Sequence, residues 1–457
     1  MELWMRVGQP IETLISDPER IFDAWEKGGV RGLVIGRMAF KSNVEGKHGE
    51  ATPAFEPNPE VYHAFGVEPP AAPGDRFPDR RAQLGRTLDA AKARGWPVMI
   101  FEASAFRGPG GTGNVMLDDV SRRAYLARMQ DTLEAFPQAD GAIIDGPEWQ
   151  YEIQPGHRSN LFAALPPEAG ATAVEMGYDV AALDSAKKRL EERLHSLDEY
   201  SVGEFASGGL LGGLGLFGYD SGLVDWLRFR VDTLTAFVRG VGAHLAKMSP
   251  PRKLGMGPRT ASFAPLCGYD FGRLSRILDY LLPKHYFWHR GYDGMYGTLA
   301  RYVQTLVDWN PGLSERSAFA VTKSLFGIEV PGLDSLSAME DGFPPAFFSE
   351  YVADQTRRAL AAMRAPERVV PWVDVGRWPH DGDPIGAGDL RRILQASAGA
   401  GLKRFLYHNH GHLTPAEWSV ISEMCGEKWQ GPEKSGYRPP DGLHVLPTLS
   451  PARPAKG

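Results

Sequence analysis

Short apolar runs alternate with amphipathic helical segments along almost the whole of this chain, and that alternation restricts the fold more than any other feature. Strand-like runs centre near residues 3, 34, 99, 143, 255, 285, 372 and 406. Gly32–Met38 (GLVIGRM) and Pro97–Glu102 (PVMIFE) are near-continuously apolar, as strands covered on both faces must be. Between strands, Ser16-Asp17-Pro18-Glu19 opens a helix with a capping residue, a first-turn proline and an acid at the positive dipole end. Arg81–Arg94 is a second amphipathic helix, stopped by Gly95. Such alternation makes a parallel sheet with right-handed crossovers. Eight repeats without a Gly-rich dinucleotide fingerprint predict an α/β fold of the closed (β/α)8 TIM-barrel type, with long loop insertions at the C-terminal face. No nucleotide or other cofactor is expected.

The barrel is expected to occupy residues 1–427, with insertions at about 41–80, 150–220 and 310–346. Residues 428–457 are rich in Pro and Gly and read as a disordered tail. Gly108–Gly113 and Gly203–Gly218 read as mobile loops, since neither follows a strand and opens a helix as a phosphate loop does. A net charge of −6 and the absence of any Lys/Arg-rich run argue against nucleic acid as a partner. No apolar run approaches the roughly 20 residues that span a bilayer, so no membrane association is expected. Only Cys267 and Cys425 are present, too few for a disulfide framework or a thiolate metal site. The opening MELWMRVGQPIETL has no charged region followed by an apolar stretch, so a cytoplasmic location is expected. Oligomeric state is not legible.

In such a barrel the strands' C-terminal ends share one rim, whatever their separation in sequence. The stretch Asp140–Trp149, DGAIIDGPEW, is the richest of them: an apolar run ends at Asp145, Gly146-Pro147 forces a turn, and Glu148 and Trp149 follow. Elsewhere the rim offers Arg6, Arg37, Glu102, Arg259, Lys284, His285, His289, Asp374, Tyr407 and His408. Aromatic residues interleave, among them Tyr286, Trp288, Trp372 and Trp378. Carboxylates for hydroxyl groups and flat rings for sugar faces suit a small carbohydrate ligand. Glycoside hydrolysis needs one carboxyl to attack or act as base and another to donate a proton. Asp145 is the expected nucleophile or base, with Glu148 or Asp293 as proton donor. Glu102 and Asp374 compete for the donor role or pair with Arg37 or Arg377. Trp149, Trp288 and Trp372 would supply stacking faces, and Arg37, Arg259, Lys284, His285, His289 and His408 would orient the substrate.

DGAIIDGPEW resembles the DGxxxD strand-four signature of glycoside hydrolase-like barrel families related to the α-amylase-type and α-galactosidase-type superfamilies. Trp226–Val238, leading into Lys253–Gly257, is similar to the helix-then-strand context that follows that signature. The resemblance implies a barrel glycosidase with its nucleophile at Asp145 and its general acid after strand five or six. Here strand five ends in Gly257-Pro258-Arg259 without an acid, and after strand six the first acid is Asp293. A chitinase-like DGxDxDxE does not fit, since Ile143 replaces its middle Asp and Glu148 falls one residue too far on.

Two other readings compete. HNHGH (His408, His410, His412) with His285 and His289 has the residue types of a metal site, so a metal-dependent hydrolase or isomerase is the second reading. No metal ligand is assigned, because the HxH of amidohydrolase barrels lies at the end of strand one, where this chain has Met5-Arg6-Val7. The third is a sugar-binding barrel without catalysis.

Overall fold

The computed structural model describes residues 1–8, 11–41, 51–72, 78–103, 111–288, 291, 293–377, 380 and 382–440. Strands stand at all eight expected positions. In chain order they are β1 (Glu2–Val7), β2 (Val30–Ile35), a small ribbon of β3 (Ala39–Lys41) and β4 (Ala51–Pro53), then β5 (Val98–Ala103), β6 (Gly141–Asp145), β7 (Lys253–Met256), β8 (Tyr280–Leu281), β9 (Lys284–His285), β10 (Trp372–Val373) and β11 (Arg404–Tyr407). Nine of them form one sheet in the order β8-β7-β6-β5-β2-β1-β11-β10-β9, parallel throughout, and the antiparallel β3–β4 ribbon stands apart. Helices fill the crossovers, as parallel neighbours require.

The sheet is curled. Trp4 on β1 meets Tyr280 on β8 edge-to-face at 4.9 Å between centroids, and Phe101 on β5 lies 5.6 Å from Trp372 on β10. Residues so far apart in strand order touch only across a concave face. The two strands that end the sheet order are halves of one stretch, Tyr280–His285, interrupted at Pro283. Proline offers no N–H to a ladder, which breaks the strand there. The Leu282 and Lys284 N–H groups donate to the Met256 and Pro258 carbonyls on one side, while Val370 and Trp372 donate to Leu281 and Pro283 on the other.

Strand alternation decides which residues enter the concave face. On β5, Phe101 points inward, while Glu102 points out to the helix Asp119–Ala135. On β9, Lys284 points inward, and His285 turns outward beside Phe287, whose ring packs on Phe347 and Tyr351.

The insertions carry more regular structure than expected. Gly203–Gly218 holds the end of one helix (Glu199–Phe205) and all of a second (Gly209–Leu216). Glycine serves close approach here: a Cβ at Gly212 would stand 2.0 Å from the Phe205 carbonyl oxygen. The start of the expected tail is docked, not loose. Tyr437 is buried, its hydroxyl taking the Trp25 indole N–H at 3.1 Å and standing 3.0 Å from His410 Nε2.

Candidate active site

β6 is buried along its length except at its last residue, so its exit fixes the position of Asp145 from below. Gly146 then takes φ +74°, a conformation that glycine adopts without penalty, and the chain turns to place Glu148 beside Arg259. Arg259 follows β7, Lys284 lies on β9, Asp374 follows β10 and His408 follows β11. All of these stand at the C-terminal ends of parallel strands.

Their side chains form one charged network. Lys284 Nζ pairs with Asp145 Oδ1 at 2.8 Å. Arg259 donates from Nε to Glu148 Oε2 at 2.9 Å, from Nη2 to Glu148 Oε1, and from Nη1 to Asp293 Oδ1. Asp293 Oδ2 faces His380 Nδ1 at 2.9 Å, and His380 Nε2 stands 3.5 Å from Asp374 Oδ2. Asp374 also meets His408 Nδ1 and accepts the Gly376 N–H at 2.7 Å. Arg6 donates to the His408 carbonyl at 3.1 Å and lies over the Phe101 ring. Tyr286 stacks on Trp288 at 4.8 Å and closes the histidine side, 5.0 Å from His380.

Charge compensation orders the carboxyls. Burial opposes ionisation of Asp145, but the Lys284 ammonium outweighs it and holds the carboxyl below its ordinary range. Lys284 is correspondingly raised: burial lowers it, and Asp145 more than restores it. Asp293 is buried, yet Arg259 and then the His380 hydrogen bond push it far below the ordinary value. Asp374 is likewise held well down against burial by His408 and His380. His408 falls to about 4, because its burial outweighs the attraction of Asp374. Exposure separates the acids as well. The Asp145 and Glu148 side chains are 30% and 21% exposed, whereas Asp293 and Asp374 are 3% and 5%.

The structure brings together Asp145, Glu148, Asp293, Arg259, Lys284, Asp374 and His408 of the expected residues, with Trp372 beneath His408 at 5.7 Å and Trp288 against His380 at 5.2 Å. Others are corrected. Glu102 lies on the outer face with Arg128 at 3.3 Å, not with Arg37, because its register parity turns it away from the site. His285 is outward for the same reason. Trp149 is packed behind the site, its indole N–H shared between the Arg230 carbonyl and Thr233 Oγ1 at 3.2 Å each, and offers no stacking face. Trp288 and Trp372 are interior residues, 0% and 1% exposed, and present no open sugar platform. Arg37 stays exposed beyond β2. Asp293, doubly engaged and firmly ionised, is a poor proton donor, since a general acid needs the opposite shift. Arg377 forks onto Glu417, not Asp374. The histidine set His285, His408 and His410 is not assembled: His410 packs on Trp25 and Tyr437. His289 and Trp378 lie outside the described residues. His380, in the RWPHDGDPIG loop after β10, was missed; no strand end or repeated spacing marks it.

No family model matches the chain, and no curated protein matches it. Solved structures with a similar chain path do exist. The PgaB (BpsB) glycoside hydrolase domain from Bordetella bronchiseptica is 14% identical with a TM-score of 0.45, the match covering 92% of this chain and 99% of that one. A β-galactosidase from the psychrophilic Marinomonas ef1 is 12% identical at 0.47, covering 93% and 59%. A GH18 chitinase from Pseudoalteromonas aurantia is 10% identical at 0.40, covering 93% and 98%. The site's chemistry rests on its own residues.

Proposed function

We propose that the chain is a glycoside hydrolase-like enzyme whose sheet closes, through the split strand Tyr280–His285, into an eight-stranded (β/α)8 barrel, and whose substrate is a small saccharide or glycoside. The observation that carries this reading is the pair Asp145 and Glu148. They are partly exposed carboxyls three residues apart at the end of one strand, inside a network whose other acids are sealed. Asp145, kept ionised by Lys284, is the nucleophile or base. Glu148 is the partner carboxyl that reaches the leaving-group oxygen. Arg259 holds it in place, donating from Nε and Nη2 to its two oxygens. The same Arg259 also pairs with Asp293. Assignment of Asp145 as nucleophile also agrees with the DGxxxD reading of Asp140–Asp145.

A panel of aryl glycosides and short oligosaccharides, assayed for released phenol and reducing ends with the wild type and with Asp145→Asn, tests this. Hydrolysis of at least one substrate by the wild type, lost in Asp145→Asn, is the expected result. Equal turnover by the two proteins overturns the assignment.

A further inference from the structure

The Asp374 side of the network has a feature that the hydrolytic reading leaves unused. Asp374, His380 and His408 converge from two loops, each offering one ligand atom within 4.8 Å of the others, and all three residues are buried. Two ligands at about 2.1 Å from a tetrahedral ion stand about 3.4 Å apart. Asp374 Oδ2 and His380 Nε2 are separated by 3.5 Å, while Asp374 Oδ2 and His408 Nδ1 are in direct contact and would move apart to admit an ion.

The surroundings fit the same chemistry. His380 Nδ1 lies on the Asp293 carboxylate at 2.9 Å, and when that nitrogen carries the proton, Nε2 presents its lone pair to Asp374. An imidazole lone pair facing a carboxylate repels it unless a proton or a cation lies between. A carboxylate behind a histidine is also the usual outer support of a metal-bound imidazole.

The geometry points to Asp374, His380 and His408 as a binding site for one divalent first-row transition-metal ion. Two imidazoles and one carboxylate suit zinc or iron(II) rather than calcium or magnesium. His285, His410 and His412 take no part. The site stands on the donor set alone and holds whether or not Asp145 attacks a glycoside.

The test uses the full chain, stripped with a chelator and dialysed against zinc, with bound metal measured by elemental analysis. His380→Ala and His408→Ala are compared with His195→Ala, an exposed histidine on a distant helix end. One zinc per chain in the wild type and His195→Ala, falling at least tenfold in both ligand variants, supports the site. Absence of stoichiometric zinc in the wild type, or uptake unchanged in folded ligand variants, overturns it. Should a ligand variant not fold, cobalt(II) titration of the wild type decides. Visible bands of a nitrogen- and oxygen-ligated ion that saturate at one equivalent support the site, and their absence overturns it.

Discussion

Lys284 on β9 reaches Asp145 at the end of β6, and the 2.8 Å ion pair is the contact that keeps the most exposed acid of the site ionised. The two strands are not paired with each other in the sheet. The contact exists because the concave face brings their ends together. Removing the ammonium leaves burial and the Asp293 carboxylate opposing ionisation of Asp145, with Arg259 as its remaining counter-charge, so its carboxyl rises. Lys284→Met is therefore expected to move the acid limb of the kcat/KM profile to higher pH, while Asp145→Asn abolishes the activity and leaves no limb to move. The wild-type limb is expected below the ordinary aspartate range. An unmoved limb in Lys284→Met separates Asp145 from the base role. The pair also bears on stability. Asp145 is depressed in the folded state, so its contribution is present above the unfolded value and is lost as pH falls through the folded one.

Glu148 and Arg259 make a second separable prediction. Glu148→Gln keeps the shape and leaves Arg259 paired with Asp293, so the fold is expected to survive with a small change in Tm. Loss of general-acid help costs about 10²–10⁴-fold in kcat. Substrates with a good leaving group, such as dinitrophenyl glycosides, need no protonation and should recover most of the rate. A uniform loss across leaving groups would falsify the donor role of Glu148.

The positions of all eight strands were legible because a doubly covered parallel strand must be apolar, and the chain writes this plainly at Gly32–Met38 and Pro97–Glu102. Asp145 was legible for a related reason: an apolar run ending in an acid before Gly-Pro has one place to go. Parity at the rim was harder. Glu102 and His285 sit at strand ends just as Asp145 and Lys284 do, and a shift of one residue turns a side chain from the site to the helix layer. Sequence fixes that parity only where a neighbour's contact is known, as with Phe101 on Trp372. His380 lies in a loop, where no periodicity applies. Gly203–Gly218 misled because glycine lowers helix propensity, while close packing on Phe205 rewards its missing side chain.

The outward placement of Glu102 and Trp149 predicts effects on stability without effects on substrate. Glu102→Gln weakens the Arg128 pair, and Trp149→Phe loses the indole bonds to Arg230 and Thr233. Each is expected to cost about 1–3 kcal/mol in denaturant unfolding, with KM unchanged. A severalfold rise in KM in either variant returns that residue to the substrate.

His285 offers a pH test. Its ring is buried with no described partner at either nitrogen, and burial alone lowers it from 6.5 to about 3. Between those values the unfolded chain binds a proton that the folded chain refuses, so this residue's contribution is lost as pH falls below 6.5 toward 3. His285→Leu removes that linkage with little change in volume. Relative to the wild type, the variant is expected to gain about 2 kcal/mol of unfolding free energy on going from pH 7 to pH 5. Urea unfolding at the two pH values measures this, and a constant difference would show that His285 is protonated or partnered in the folded chain.

Tyr437 ties the segment after residue 427 to the helix Pro18–Lys27 and to the loop after β11. Its ring lies edge-on to Trp418 at 5.8 Å, and its hydroxyl stands between the Trp25 N–H and His410. Tyr437→Phe leaves the buried Trp25 N–H without its described acceptor, at about 1–3 kcal/mol. Tyr437→Ala adds a cavity and is expected to cost about 3–5 kcal/mol. Because the contact lies on the helix side of β1 and β11 rather than among the charged residues, kcat and KM should stay near wild type in both variants. Thermal unfolding read beside kinetics decides the matter: if the alanine variant melts with the wild type, the segment is not held by this residue.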